Sequence, residues 1–158
     1  KDPQLLAWKM KTLNFEPRFI QLSTVINGGM PEYTVGRVAR ALNEDSKALK
    51  GSRVLVLGVA YKPGVCDYRE SPALDVMHLL AQEGAKVEYH DAFVPSAQAA
   101  GRTWRSRVLT AAALRAVDIV VILTAHPGVD YARVCRQARR VFDARNAAAG
   151  LKGRIERL

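Results

Sequence analysis

Four charged side chains, Lys62, Asp67, Arg69 and Glu70, crowd into "GVAYKPGVCDYRESPALD", residues 58 to 75. A lysine supplies a compact positive charge and an arginine a planar fork of donors, and both suit phosphate oxygens. The stretch starts where an apolar run stops and finishes inside a helical pattern, so it reads as a strand-to-helix crossing. In open α/β sheets ligands bind outside the carboxyl ends of the strands, which aims Lys62 and Arg69 into a crevice suited to an anion. A second reading stays open. Arg69, Glu70 and Asp67 can instead form a local ion-pair network that ties down a long loop, with Lys62 solvated.

This is not the usual dinucleotide fingerprint, which needs closely spaced glycines in a short turn. Gly58 is followed by Val59, Ala60 and Tyr61, and the loop is too long for a pyrophosphate to rest on a bare helix N-terminus. Side chains would have to supply the donors. Cys66 and Cys135 have neither CxxC nor His-linked spacing, and His78 and His90 lack partners at metal-ligand spacing, so no metal is expected. His126 reads as a loop residue rather than a base. Asp91 ends a strand where nucleotide-binding folds place a ribose-binding acid, although a turn cap calls for the same residue type.

The elements that must position these residues change character near Gly51. Before it, Phe19, Leu22 and Ile26, then Tyr33, Val38, Ala41 and Leu42, recur at three- and four-residue intervals, the period of a helix. Gly28, Gly29 and Pro31 predict a break or kink between two helices, with Pro31 near the start of the second. After Gly51, "RVLVLGVA", "AKVEYHD", "IVVILTA" and "RRVFDAR" read as strands. "PALDVMHLLAQEG", "LTAAALRAVD" and "VDYARVCRQA" read as the helices between them, with Ser71 as N-cap, Pro72 in the first turn and Gly84 as the stop. The expected fold is α/β: a Rossmann-like parallel sheet with helices on both faces, preceded by a long helical arm. The expected division is residues 1–50 as arm and 51–158 as the sheet domain. An arm ahead of a compact domain is a candidate dimer or inter-domain surface.

Composition sets outer limits. At 158 residues and 49% apolar, the chain can bury a real core. No apolar run is long enough to span a membrane, and no charged-then-apolar leader precedes the first element, so no membrane partner is expected. Cysteine usage makes a reducing, cytoplasmic setting the default. The net charge of +9 would suit an anionic partner. It is spread over helix faces without an aromatic ladder, which argues against nucleic acid. Because the sequence opens with Lys1 rather than Met, a piece of something longer is expected.

"LGVAYKPGVCDYRESPALDVMHLLAQEGAKVEYHD", with "DIVVILTAHPGVDY", "VFDARN", "DPQLLAWK" and "FIQLSTVINGGMPEYTV", resembles the C-terminal part of the UDP-glucose/GDP-mannose dehydrogenase family. The hallmark is a G-x-A-[YF]-K loop followed by D-x-R-E-S. The pieces "MPEY" and "YHD" look most like the branch acting on UDP-N-acetylhexosamines. Cytoplasmic oxidation of a UDP-sugar C6 alcohol to a carboxylate, with two NAD molecules and a thioester on a catalytic Cys, is what the resemblance implies.

In the family pattern that Cys would lie three residues before Lys1, and the glycine-rich NAD domain would also lie upstream. Neither Cys66 nor Cys135 stands at a matching position, so this portion by itself is expected to be inactive. By resemblance Tyr61 and Lys62 match an aromatic-Lys pair that contacts the UDP-sugar, and Arg145 an Arg directed at the substrate side. Arg69 matches an Arg reaching toward NAD on another domain, and Asp2 the carboxylate that assists the Cys and the hydrolytic water. As plain structure, Asp2 would be a disordered chain end and Arg145 a strand-end cap. Ala92 and Ala125 depart from the family's usual Pro and Asp. The reading from a different class is a stand-alone, non-catalytic α/β module that docks a partner through its basic face.

Overall fold

The computed structural model describes residues 2–158. Two compact units divide between Met30 and Pro31. In the first, α1 (Asp2–Lys11) buries no side chain. Its last turn closes through the Thr12, Leu13 and Asn14 amides, which donate to the carbonyls of Lys9, Met10 and Lys11. α2 (Arg18–Asn43) runs on into the second unit. Where the sequence predicts a break or kink and a new start near Pro31, one helix continues with Pro31 inside it. A proline removes a single donor, and from that point the helix is anchored by Pro31, Thr34, Val35, Val38, Ala41 and Leu42, all buried at helical spacing. Tertiary burial overrides the local penalty.

The second unit is the expected α/β fold. β1 (Arg53–Leu57), α3 (Pro72–Gln82), β2 (Lys86–His90), β3 (Ser96–Ala99), β4 (Arg102–Arg105), α4 (Ala111–Ala116), β5 (Ile119–Ile122), α5 (Tyr131–Gln137), β6 (Val141–Asp143) and β7 (Ile155–Arg157) follow in order. The main sheet runs β2-β1-β5-β6-β7, and every pairing in it is parallel. β1 leads outward to β2 and the chain returns to β5 on its other side, so the strand order reverses between β1 and β5. That is the topological switch point.

Alternation along β1 divides the core. Val54 and Val56 face a cluster with Val38, Leu42, Met77 and Leu80 from α2 and α3. Leu55 and Leu57 face Leu114 of α4 and Val134 of α5. Each such side chain, fully buried, contributes about 1.5–3 kcal/mol. Ser71 caps α3 as the sequence predicts, accepting from Ala73 N. Gly84, at φ +84°, ends it, with the Ala85 amide bonded back to Leu80.

Two elements were not legible. The β3–β4 hairpin turns on Ala100 and Gly101, both at positive φ, a two-residue turn hidden in "AQAAGRT". β7 is three residues long and carries little apolar signal. Part of the basic charge serves this unit internally. Arg140 is 5% exposed and places Nε and Nη2 on the two oxygens of Asp45 at 2.8 and 3.0 Å, with Nη1 on Glu44 at 2.7 Å. That fork holds the Asp45 carboxyl down at about 2. Arg37 likewise reaches Glu156 at 2.9 Å.

Candidate functional site

At the switch point β1 ends in Gly58, whose φ is +80° and whose backbone presses on the loop after β5. A Cβ there would stand 2.2 Å from the Thr124 carbonyl oxygen, so only glycine fits. Thr124 Oγ1 then donates to the Ala60 carbonyl at 2.7 Å, locking the two loops side by side. The crossing from β1 to α3 therefore leaves the sheet along a fixed path. Its next residues are Tyr61 and Lys62.

Beneath that path lies a saturated carboxylate. Asp91, 3% exposed, ends β2 and takes the amides of Val59 and Ala60 on Oδ2 at 2.8 and 3.0 Å. It takes those of Phe93 and Val94 on Oδ1 at 2.8 and 3.1 Å. His126 Nε2 adds a fifth contact to Oδ2 at 2.9 Å, while His126 Nδ1 accepts the Gly64 amide at 3.1 Å. Burial would push the Asp91 carboxyl up, but the amides of Val59, Phe93 and Ala60, together with His126, hold it below the usual carboxylate range. Asp91 is thus the turn cap of the two readings, with no oxygen left for a ribose.

Asp143 does the same work at the end of β6, where it is 1% exposed. It accepts the amides of Arg145, Ala147 and Ala148. Arg145 is presented by that turn, and its Nε donates to the Leu123 carbonyl at 2.7 Å. The strand-end cap expected of it as plain structure is real, yet it uses one donor of the five that a guanidinium carries. Through Leu123 and Thr124, Arg145 and the Tyr61–Lys62 pair border the same piece of carboxyl edge.

Tyr61 is 56% exposed, and the Lys62 ammonium has no partner among the described residues. Arg69 lies on the same crossing, bound to Asp67 through Nε and Nη2, both at 2.9 Å. The Asp67 carbonyl takes the Tyr61 amide at 2.8 Å, which closes the loop on itself. The Asp67–Arg69 half of the ion-pair reading is therefore present, and Lys62 stands apart from it. Asp2 opens α1 in the other compact unit, an acid in a helical first turn rather than a disordered end. Lys1, from which the position of the family's Cys is counted, lies outside the described residues.

A cavity of about 280 Å³ opens farther along the edge, walled by Phe93, Leu109, Leu114 and Val134 with Asp130 and Arg133. It contains none of Tyr61, Lys62 or Arg145, and its mainly apolar wall does not suit a diphosphate. Nor does the edge fit NAD in the dinucleotide manner, because Gly58 is closed by Thr124 and the oxygens of Asp91 are taken. Among the described residues no group of three or more His, Cys, Asp or Glu is placed to hold a metal ion. Among the described residues, no helix is long and apolar enough to cross a membrane. Cys135 is buried, and burial pushes its thiol up, away from a nucleophile's range.

Sequence reasoning missed the pairing of Asp91 with His126 and the role of Thr124. The acid closing "YHD" was visible as a strand end, but a loop histidine 35 residues away gave no signal of its partner.

A family profile described as the UDP-glucose/GDP-mannose dehydrogenase family, UDP binding domain, matches residues 55–149. UDP-glucose 6-dehydrogenase TuaD of Bacillus subtilis is 38% identical over 131 residues, which cover 82% of this chain and 28% of that protein. UDP-N-acetyl-D-glucosamine 6-dehydrogenase of Pseudomonas aeruginosa is 26% identical over 125 residues, covering 79% of this chain and 29% of that one. The solved UDP-D-ManNAc dehydrogenase of Pyrococcus horikoshii superimposes with a TM-score of 0.75 at 27% identity, over 98% of this chain and 36% of that one. The chain spans about a third of the length of these relatives. The carboxyl ends of β1 and β5 and the loop carrying Tyr61 and Lys62 fall within the matched stretch, and the chain belongs to the UDP-glucose/GDP-mannose dehydrogenase family, whose UDP-binding domain it carries.

Proposed function

We propose that this chain is the UDP-sugar-holding portion of a cytoplasmic NAD-dependent nucleotide-sugar 6-dehydrogenase, oxidising a UDP-hexose or UDP-N-acetylhexosamine to the uronic acid. Residues 51–158 form the binding domain, and residues 1–50 an arm through which two copies pair. Tyr61, Lys62 and Arg145 take the sugar nucleotide. Arg69 faces an NAD bound elsewhere in the longer enzyme, and Asp2 serves the proton transfers around a Cys supplied from outside this chain. The observation that carries the reading is Lys62. A lysine without a partner among the described residues, on a path fixed by Gly58 and Asp91 and beside an exposed Tyr61 ring, is a preset cation on the edge where such folds bind ligands. Arg145 adds a guanidinium with donors to spare, and its fork matches phosphate oxygens.

The pairing of two copies is supported by the exposure of Phe19 at 88%, Val25 at 72% and Trp8 at 64% on the first unit's helices. The function is tested by titrating UDP into the chain and into Lys62→Ala. Losing one charge-assisted contact costs about 1.5–3 kcal/mol, roughly ten- to a hundredfold in affinity. The melting temperature should stay where it was. Equal affinity for UDP in both proteins would overturn the assignment.

A further inference from the structure

Lys62 and Tyr61 are useful to a ligand only if their loop keeps its shape. Between Tyr61 and Cys66 a single hydrogen bond joins the loop to a residue outside it, among the described residues, and that is Gly64 N–H to His126 Nδ1 at 3.1 Å. At the loop's other end Asp91 Oδ2 receives the amides of Val59 and Ala60 and also His126 Nε2. One buried pair therefore grips the segment on both sides of Tyr61 and Lys62.

The chemistry of the ring makes this specific. A backbone amide can only donate, so Nδ1 must carry its lone pair, and Nε2 must then carry the proton it gives to Asp91. Both nitrogens are used, the side chains are 2% and 0% exposed, and Phe93 stacks on the ring at 4.8 Å to fix its plane. A residue that only filled space would need neither nitrogen. We infer that His126, seated by Asp91, is a positioning residue that sets the conformation of the Tyr61–Lys62 loop through the Gly64 amide.

The inference rests on the UDP-site reading for its purpose but not for its geometry, and amide NMR of the whole chain separates the two. The wild type should show the Nε2–H tautomer and a coupling across the hydrogen bond from the Gly64 amide to Nδ1. His126→Gln keeps a donor for Asp91 and loses the acceptor for Gly64. His126→Asn places an oxygen near the position of Nδ1 and loses the donor. Hydrogen exchange at Gly64 should speed up by about a hundredfold or more in the Gln variant and by no more than about threefold in the Asn variant. UDP binding should follow the same order, weakening about tenfold in the Gln variant alone.

Absence of the coupling in the wild type would overturn the inference even if neither variant folds. So would slow Gly64 exchange in His126→Gln, or a UDP affinity in that variant equal to the wild type's. If exchange behaves as expected while the wild type binds no UDP, the positioning role stands and the UDP-site reading falls.

Discussion

The two sides of the carboxyl edge use the same residue types for opposite ends. On the inner side Asp91, Asp143 and His126 are buried, and both carboxylates are filled by backbone amides. On the outer side Lys62 has no partner among the described residues, Arg145 spends one donor on a carbonyl, and Arg69 is 80% exposed against Asp67. A buried polar group must be saturated, because leaving it unpaired costs about 1–3 kcal/mol, so it can hold a fold but cannot greet a ligand. An exposed charge keeps its bonding capacity and contributes little to stability. On the proposed reading, binding at this edge rests on outer residues, and the Tyr61–Lys62 loop among them is held by inner ones.

Substitutions can break that division. The largest effect should come from Gly58→Ala, which combines a left-handed φ with a Cβ 2.2 Å from a carbonyl oxygen. We expect a loss of about 3–5 kcal/mol in chemical denaturation, since backbone cannot yield as a flexible side chain would.

Next is Asp91→Asn, which keeps the shape but turns an NH2 group toward amide donors, and should cost about 3 kcal/mol near neutral pH. It should also change the acid limb. The folded pKa of Asp91 lies below its unfolded value, so its contribution is complete above about pH 4 and is lost as pH falls through the folded value. The variant should lack that part of the decline, which unfolding curves at stepped pH would reveal. The smallest change belongs to Arg69→Ala. With the pair so exposed, the melting temperature should hardly move. A large drop would show that the outer side supports the fold after all.

Much of this was legible in advance. The runs "VLVL" and "IVVI" read as strands buried on both faces, and Ser71-Pro72 and Gly84 bracketed α3 correctly. Lys62 and Arg69 were visible as charges where small residues are expected. What could not be read was anything decided by distant partners. The persistence of α2 through Pro31 depends on the core beneath it. The Asp91–His126 pair depends on β1 bringing together the ends of β2 and β5. Ala100 at positive φ is a turn residue that propensity disfavours, so the hairpin it closes left no mark in the sequence.

The position of β1 in the middle of the sheet also governs how the fold can be reached. Its neighbours are β2 and then β5, and the Arg53–Asp118 contact beside that second pairing closes a separation of 65 residues. Parallel pairings that wait for distant partners fold slowly, on the scale of milliseconds to seconds. Until β5 docks, Val54 to Leu57 present an apolar strand with one edge open, the kind of surface on which nascent chains associate wrongly. The last step to close that edge is the one that seats Gly58 against Thr124. A misfolded population would thus lack the Tyr61–Lys62 loop as well as the sheet, and refolding yield should track recovery of that edge.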